Sequence, residues 1–277
     1  MKKLGALALT TVILSSLAIS ASAARGLVYT AQYGTATIDG VMEDTWLVNG
    51  SEWTEIDLPH NSEEANSICQ ARAKMMHDDN LLYFLVEITD ATLANSDDLA
   101  LTVQDQFEIY LDEDNCKDVA YCDDAVQFGM CLSGDVREGT NAEGKADMVK
   151  EFKVGTSANG YVLEFSVALQ NGIPAPGQKI GLEFMYNDND VDGTFLEALR
   201  WNVDTYSGDS APWQSLEYWG ELECAEYVAP AEPEVDEPAV DAPVDAPAEA
   251  PVTADAGIVA AAAVMAIAAG VVLSKKH

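Results

Sequence analysis

The chain is short of positive charge. Fourteen lysines and arginines stand against 47 acids in 277 residues, a formal net charge of −33. A surface of that sign repels phosphate backbones, which excludes nucleic acid as a partner. Histidine is scarce, with three copies, one of them the last residue. The five cysteines include no Cys-x-x-Cys pair, so the donor pattern of a zinc centre is missing. Proline is thin until the end, where six of the ten copies fall within 224–256. Long amphipathic helical patterns are almost lacking, which excludes a helical bundle.

Hydrophobic runs are confined to the two ends. Lys2 and Lys3, the apolar Leu4–Ile19 and Ala21-Ser22-Ala23 have the layout of a secretory signal over 1–24. Residues 224–256 carry nine acids and no lysine or arginine, with a loose Val/Ala, Asp/Glu, Pro repeat in "VDEPAVDAPVDAPAEAPV". Such a segment buries too little apolar surface to fold and reads as an extended, disordered spacer. Gly257–Leu273 is uncharged and precedes Lys275 and Lys276. At roughly 1.5 Å per residue it is just long enough for a transmembrane helix, with a basic cytoplasmic tail over 274–277. "PVTADAG" resembles the sorting region of Gram-positive wall proteins, but Ala254 follows Thr253 where the pattern has glycine. The expectation is a domain held outside the cell, anchored to the membrane or wall.

Between these ends, 25–223 holds 38 acids and ten bases, enough chain for one substantial core. Its hydrophobic period is two. In "LLYFLVEITD" (81–90), Leu82, Phe84, Val86 and Ile88 share a face; in "CQARAKMM" (69–76), Cys69, Ala71, Ala73 and Met75 do. Residues 105–114, 125–133, 147–155, 160–169 and 179–188 continue the series between Gly/Asn/Asp turns. The expected fold is all-β, an antiparallel, jelly-roll-like sandwich. "YGTATIDGVMEDTW" (33–46) reads as a strand end, a turn at Asp39-Gly40 and a helical turn that plugs Trp46 into one end of the sandwich. Cys116 and Cys122 can close a small ring; Cys69, Cys131 and Cys224 have no evident mates.

In order along the domain come "GTATIDGVMEDTW", "DDNLLYFLVEITD", "DQFEIYLDEDN", "DAVQFGM", "NGYVLEFSVAL", "IGLEFMYNDND" and "WQSLEYWGEL". Seven such pieces in register resemble the family 9 carbohydrate-binding modules. The resemblance implies a non-catalytic β-sandwich that binds polysaccharide or oligosaccharide, commonly beside enzymes that degrade plant polysaccharide. It implies a sugar clamped between two tryptophans, with a glutamate, an arginine and amides around it. Trp213 matches one clamp tryptophan and Glu108 the glutamate. Thr102 stands where the second tryptophan is expected, Gly129 where the arginine is, and Met185 where an amide is. Trp201, Tyr206 and Tyr218 are further aromatic candidates near Trp213, whereas Trp219 is expected to be packed.

The resemblance also implies structural calcium. "NDNDVDG" (187–193) places oxygens at alternate positions before a glycine, although Leu199 at position twelve from Asp188 excludes an EF-hand. Asp90, Asp112, Asp188 and Asp190 are the candidate ligands, with an acidic hairpin turn as the alternative. No organic cofactor is expected. Two rival readings remain: a surface-layer or adhesion scaffold, and a haem-binding redox domain using Met75, Met76 or His77.

Overall fold

The computed structural model describes residues 24–48, 52–59, 69–203 and 211–228. The expected leader up to residue 23, the expected spacer from residue 229 onward, and the expected transmembrane segment and basic tail lie outside them. Among the described residues no helix is long and apolar enough to cross a membrane.

The strands are β1 (Val28–Tyr33), β2 (Thr54–Ile56), β3 (Leu58–Pro59), β4 (Cys69–His77), β5 (Leu82–Asp90), β6 (Gln106–Asp112), β7 (Val126–Cys131), β8 (Val136–Glu138), β9 (Val149–Ser157), β10 (Gly160–Val167), β11 (Lys179–Asn189), β12 (Phe195–Arg200) and β13 (Gly220–Cys224). One short α-helix, α1, covers Thr45–Val48. The first sheet runs β8-β7-β6-β11-β13-β1, the second β1-β4-β5-β10-β9. β1 belongs to both: Val28–Ala31 pair with β13 and Gln32–Tyr33 with β4. Both pairings of β1 are parallel, so the sandwich is not wholly antiparallel. β1 closes the seam between strands from distant parts of the chain, and no hairpin dictates its direction.

Period two explains the interior. Phe107, Ile109 and Leu111 of β6 and Phe184 of β11 meet Phe84 of β5 and Phe165 of β10 in one core between the sheets, and all are fully buried. Phe84 stacks on Phe165 at 4.7 Å between ring centres, and Phe184 meets Phe84 edge-on at 6.2 Å. Each such ring contributes about 3–5 kcal/mol against truncation to alanine.

Ile38–Trp46 is scaffold, as expected, but it plugs no end. It lies on the outer face of the second sheet, where Ile38 and Trp46 cover Met76, Leu85 and Val162. The anchor is Glu164, which sits on that outer face because Leu163 and Phe165 face inward. Its carboxylate accepts the N–H groups of Asp39 (3.0 Å) and Gly40 (2.8 Å) and the Trp46 indole N–H (2.9 Å). Gly40 has φ +83°, and a Cβ on facing Gly155 would lie 1.8 Å from the Gly40 carbonyl oxygen. Both positions therefore require glycine.

The domain also extends slightly past its expected edges. Ala24 bridges to Val203, and Cys224, expected in the spacer, ends β13 with 3% exposure. Tyr227 packs on Tyr33 at 4.8 Å. Cys116 and Cys122 form a disulfide in the β6–β7 loop; Cys69, Cys131 and Cys224 are buried thiols.

Glu183 of β11 is fully buried and accepts the backbone N–H groups of Trp201 (2.9 Å) and Asn202 (2.8 Å). Burial pushes its carboxyl up to about 7. The folded state therefore holds this proton more tightly than the unfolded chain does. Stability from this group is present at acidic pH and declines as pH rises from the ordinary glutamate range through about 7. Urea unfolding at pH 5 and pH 8 checks this: Glu183→Gln should lose less stability across the interval than wild type, by on the order of 1–3 kcal/mol.

Candidate functional site

The outer face of the first sheet is polar where its inner face is apolar. In β6, Gln106, Glu108 and Tyr110 alternate with Phe107, Ile109 and Leu111. Strand register then forms rows across the sheet. Gly129, Glu108, Met185 and Arg200 make one row, and Cys131, Gln106, Asn187 and Ala198 the next. A cavity of about 590 Å³ opens over these rows, walled by Thr102, Phe195, Arg137, Thr140 and Trp213 among others. That volume suits a small-molecule site.

The floor is a hydrogen-bonded network. The Arg137 guanidinium, reaching over from β8, pairs through Nη2 with Glu108. Its Nε donates to Gln106 Oε1 at 2.8 Å. The Tyr110 hydroxyl donates to the other Glu108 oxygen and accepts from Gln127 Nε2 at 3.2 Å. Gln127 Oε1 in turn accepts the Thr140 N–H at 3.0 Å, and the Thr140 hydroxyl donates to the Trp213 carbonyl at 3.3 Å. Burial raises the Glu108 carboxyl above its ordinary range, against the opposing pull of Arg137 and its hydrogen-bond donors. Glu108 is thus no ordinary solvent-facing charge: it lies 4% exposed at the base of an open cavity.

Trp213, Glu108 and Thr102 all line this cavity. Trp213 is half-buried and packs beside Leu216 and Trp219 on the outer cluster that includes Tyr110, Met185 and Ala198. Trp219 is buried, as expected. Trp201 does not reach the cavity. It is 1% exposed, packs 5.6 Å from Phe184, and donates its indole N–H to Thr54 Oγ1 at 2.6 Å, so it serves the core. Tyr206 lies outside the described residues.

Sequence reasoning missed Arg137, Gln106, Asn187 and Phe195. Gln106 and Asn187 were readable, since they share a strand face with Glu108 and Met185. Arg137 was not, because β8 is too short for a periodic signal. Yet Arg137 takes the space above Gly129: a Cβ at 129 would lie 2.3 Å from Gln106 Oε1 and 3.0 Å from Arg137 Nε. A guanidinium missing from β7 is supplied by its neighbour. Phe195 is 44% exposed. It pairs with Asn189, whose side-chain amide donates to the Gln104 carbonyl at 3.0 Å. Phe195 therefore stands at the same rim as Thr102.

The haem ligands do not converge. Met75 lies in the inter-sheet core and Met76 under the outer cover. The His77 ring nitrogens face the Asp78 and Ala225 carbonyls at 3.1 and 2.9 Å.

The four acids proposed for calcium do not share one site. Asp190 accepts the Val191 N–H at 2.7 Å within its own turn. Asp112 is buried at the far end of β6, beside Asp114 and the disulfide cysteines. Asp90 and Asp188 do meet, together with Asp105, which the sequence did not single out. One carboxylate oxygen from each lies within 4.8 Å of the others. Asp105 accepts the N–H groups of Ala94 (2.8 Å) and Asn189 (2.7 Å). Asp90 accepts the Thr92 N–H at 2.9 Å and the Tyr186 hydroxyl at 2.6 Å. Asp188 is fully buried, and neither of its oxygens receives a hydrogen bond. Burial pushes Asp188 to about 7 and Asp105 to about 6. An all-oxygen donor set around an unsatisfied buried carboxylate fits a hard cation.

A family model for the "Carbohydrate family 9 binding domain-like" domain matches residues 38–226. The chain belongs to that family. This makes the domain a non-catalytic binding module. It is similar to endo-1,4-beta-xylanase A of Thermotoga neapolitana, 30% identical over 199 residues, or 71% of this chain. That match covers 18% of the xylanase, so the chain spans under a fifth of the curated relative. It is also similar to a solved family 9 module from Caldicellulosiruptor kristjanssonii, in complex with glucose (25% identity) and with cellotriose (26%). Each has a TM-score of 0.62 and covers 75% of this chain and 100% of the solved module.

The network makes a checkable claim about stability. Tyr110→Phe leaves the Glu108 carboxylate and the Gln127 amide without their buried partner. It should cost about 1–3 kcal/mol in urea unfolding while leaving the far-ultraviolet spectrum unchanged.

Proposed function

We propose that the domain binds a neutral plant-type saccharide in the cavity over β6, β7 and β11, displayed outside the cell. The observation that carries this reading is the pairing of a hydrogen-bonding floor with two aromatic side chains, half-buried Trp213 and exposed Phe195, in one cavity. A pyranose ring offers axial C–H groups to an aromatic face and hydroxyls to fixed polar partners. Trp213 and Phe195 supply the faces. Glu108 accepts hydroxyl hydrogens, Arg137 donates, and Gln106 and Asn187 do both. The family membership and the glucose and cellotriose complexes of the solved relative support the same class of ligand. A net charge of −33 disfavours uronic-acid chains, leaving glucan and xylan types.

The display half of the proposal rests on the ends of the sequence: a secretory leader, an acidic Pro-rich spacer and an uncharged segment before Lys275 and Lys276. The spacer would hold the module away from the surface.

Calorimetric titration of the full chain with cellotriose and xylotriose tests the binding half. Trp213→Ala should weaken binding by about 30-fold or more, the loss typical of a central aromatic anchor worth about 2 kcal/mol. Phe195→Ala should weaken it by a smaller factor of about 5–10. No binding across both oligosaccharides and a wider glycan array would leave the scaffold reading in its place.

A further inference from the structure

We infer that the disulfide-closed loop 116–122 is the support that places Trp213 for stacking, with Tyr121 as its positioning residue. The stretch 211–219, which carries Trp213, is built of turns between β12 and β13. Its internal bonds are local: the Gln214 N–H donates to the Ala211 carbonyl at 2.8 Å, and the Trp219 N–H to the Leu216 carbonyl at 3.1 Å. Such bonds fix the shape of a loop, not its place on the domain. The β6–β7 loop supplies the place. The Leu216 N–H donates to the Asp118 carbonyl at 3.1 Å. The Lys117 amine donates to the Trp219 carbonyl and, at 2.9 Å, to the Gly220 carbonyl. The Tyr121 hydroxyl donates to the Pro212 carbonyl at 2.9 Å.

The Tyr121 bond bears most directly on the indole. The Pro212 carbonyl and the Trp213 N–H share one planar peptide unit. That carbonyl takes two donors, the Tyr121 hydroxyl and the Trp219 indole N–H at 3.2 Å, one for each lone pair. On the other side, the Trp213 carbonyl accepts the Thr140 hydroxyl at 3.3 Å. Both peptide planes flanking Trp213 are therefore held, and only side-chain torsions remain to set the indole at the cavity wall. Tyr121 also meets Trp219 edge-on at 5.5 Å, and Trp219 meets Tyr110 at 5.5 Å, so a line of rings keys the loop to the hydroxyl that holds Glu108. The loop has a demanding shape: Asn115 and Lys117 have φ +53° and +52°, a region that residues other than glycine rarely adopt. The Cys116–Cys122 disulfide closes the ring that contains Lys117 and Tyr121 and so limits the alternatives open to them. An aromatic platform fixed beforehand loses little freedom when a ligand lands on it, which favours affinity. The effect on affinity rests on the saccharide reading above; the placement of Trp213 does not.

The full chain, labelled with fluorotryptophan, gives five tryptophan signals by fluorine NMR, and the loss of one in Trp213→Phe assigns Trp213. In Tyr121→Phe the Trp213 signal is expected to shift or broaden while those of Trp46, Trp53 and Trp201 stay in place. Calorimetry on the same variant should show cellotriose affinity weakened about 5–10-fold, the loss expected for one hydrogen bond. Thermal unfolding should show Tm lowered by no more than about 5 °C. Opening the ring with Cys116→Ser and Cys122→Ser together should move the same signal and weaken cellotriose binding about tenfold. If the serine pair fails to fold, Tyr121→Phe alone decides. An unmoved Trp213 signal in Tyr121→Phe overturns the inference, whatever the affinity. Movement of all five signals together overturns it as well, because Tyr121 would then serve the fold at large. A moved Trp213 signal with unchanged cellotriose affinity overturns it and leaves the saccharide reading standing. A moved Trp213 signal in a chain whose wild type binds no oligosaccharide overturns the saccharide reading, and with it the claim that this placement serves stacking.

Discussion

The antiparallel pairing of Gln106–Asp112 with Lys179–Asn189 is the constraint on which the rest depends. It sets Phe107 and Phe184 into the inter-sheet core and, by alternation, Glu108, Gln106, Met185 and Asn187 onto the opposite face. A slip of one residue would exchange these sets, exposing the rings and burying the floor of the cavity. The hydrophobic interior therefore does more than stabilise the fold. It holds the register that collects a carboxylate, two amides and, through β7 and β8, a guanidinium into one surface.

Burying acids is the second theme, and it follows from a composition with so few cations. Glu164 and Glu183 accept N–H groups, and each uses those bonds to pin a segment: the Ile38–Trp46 cover and the Trp201–Asn202 turn. Glu108 is paired with a guanidinium, because Arg137 reaches it. Asp188 has neither solution, which sets the Asp90–Asp105–Asp188 cluster apart from the other carboxylates.

The parts legible in the sequence were those with a local period. Alternation in 69–76, 81–90, 160–169 and 179–188 gave the strands, their inward faces and the β-sandwich class. Trp46 and Trp219 read correctly as packed. What could not be read were features made by pairing across the chain. β1 joins the sheets in parallel through partners more than forty residues away in sequence. Arg137 sits on a three-residue strand, and only the β7–β8 register brings it over Gly129. Trp201 looked like a rim aromatic by proximity to Trp213, yet β12 turns it inward against Phe184. Glu164 gave no signal of its role, since its three donors lie more than a hundred residues earlier.

A crystal structure of the module with cellotriose tests the central claim most directly. The account predicts one glucose ring lying flat on the Trp213 indole, with hydroxyls within hydrogen-bond distance of Glu108 and Arg137. Sugar density elsewhere on the domain, with the cavity over β6 and β11 holding only solvent, would contradict it.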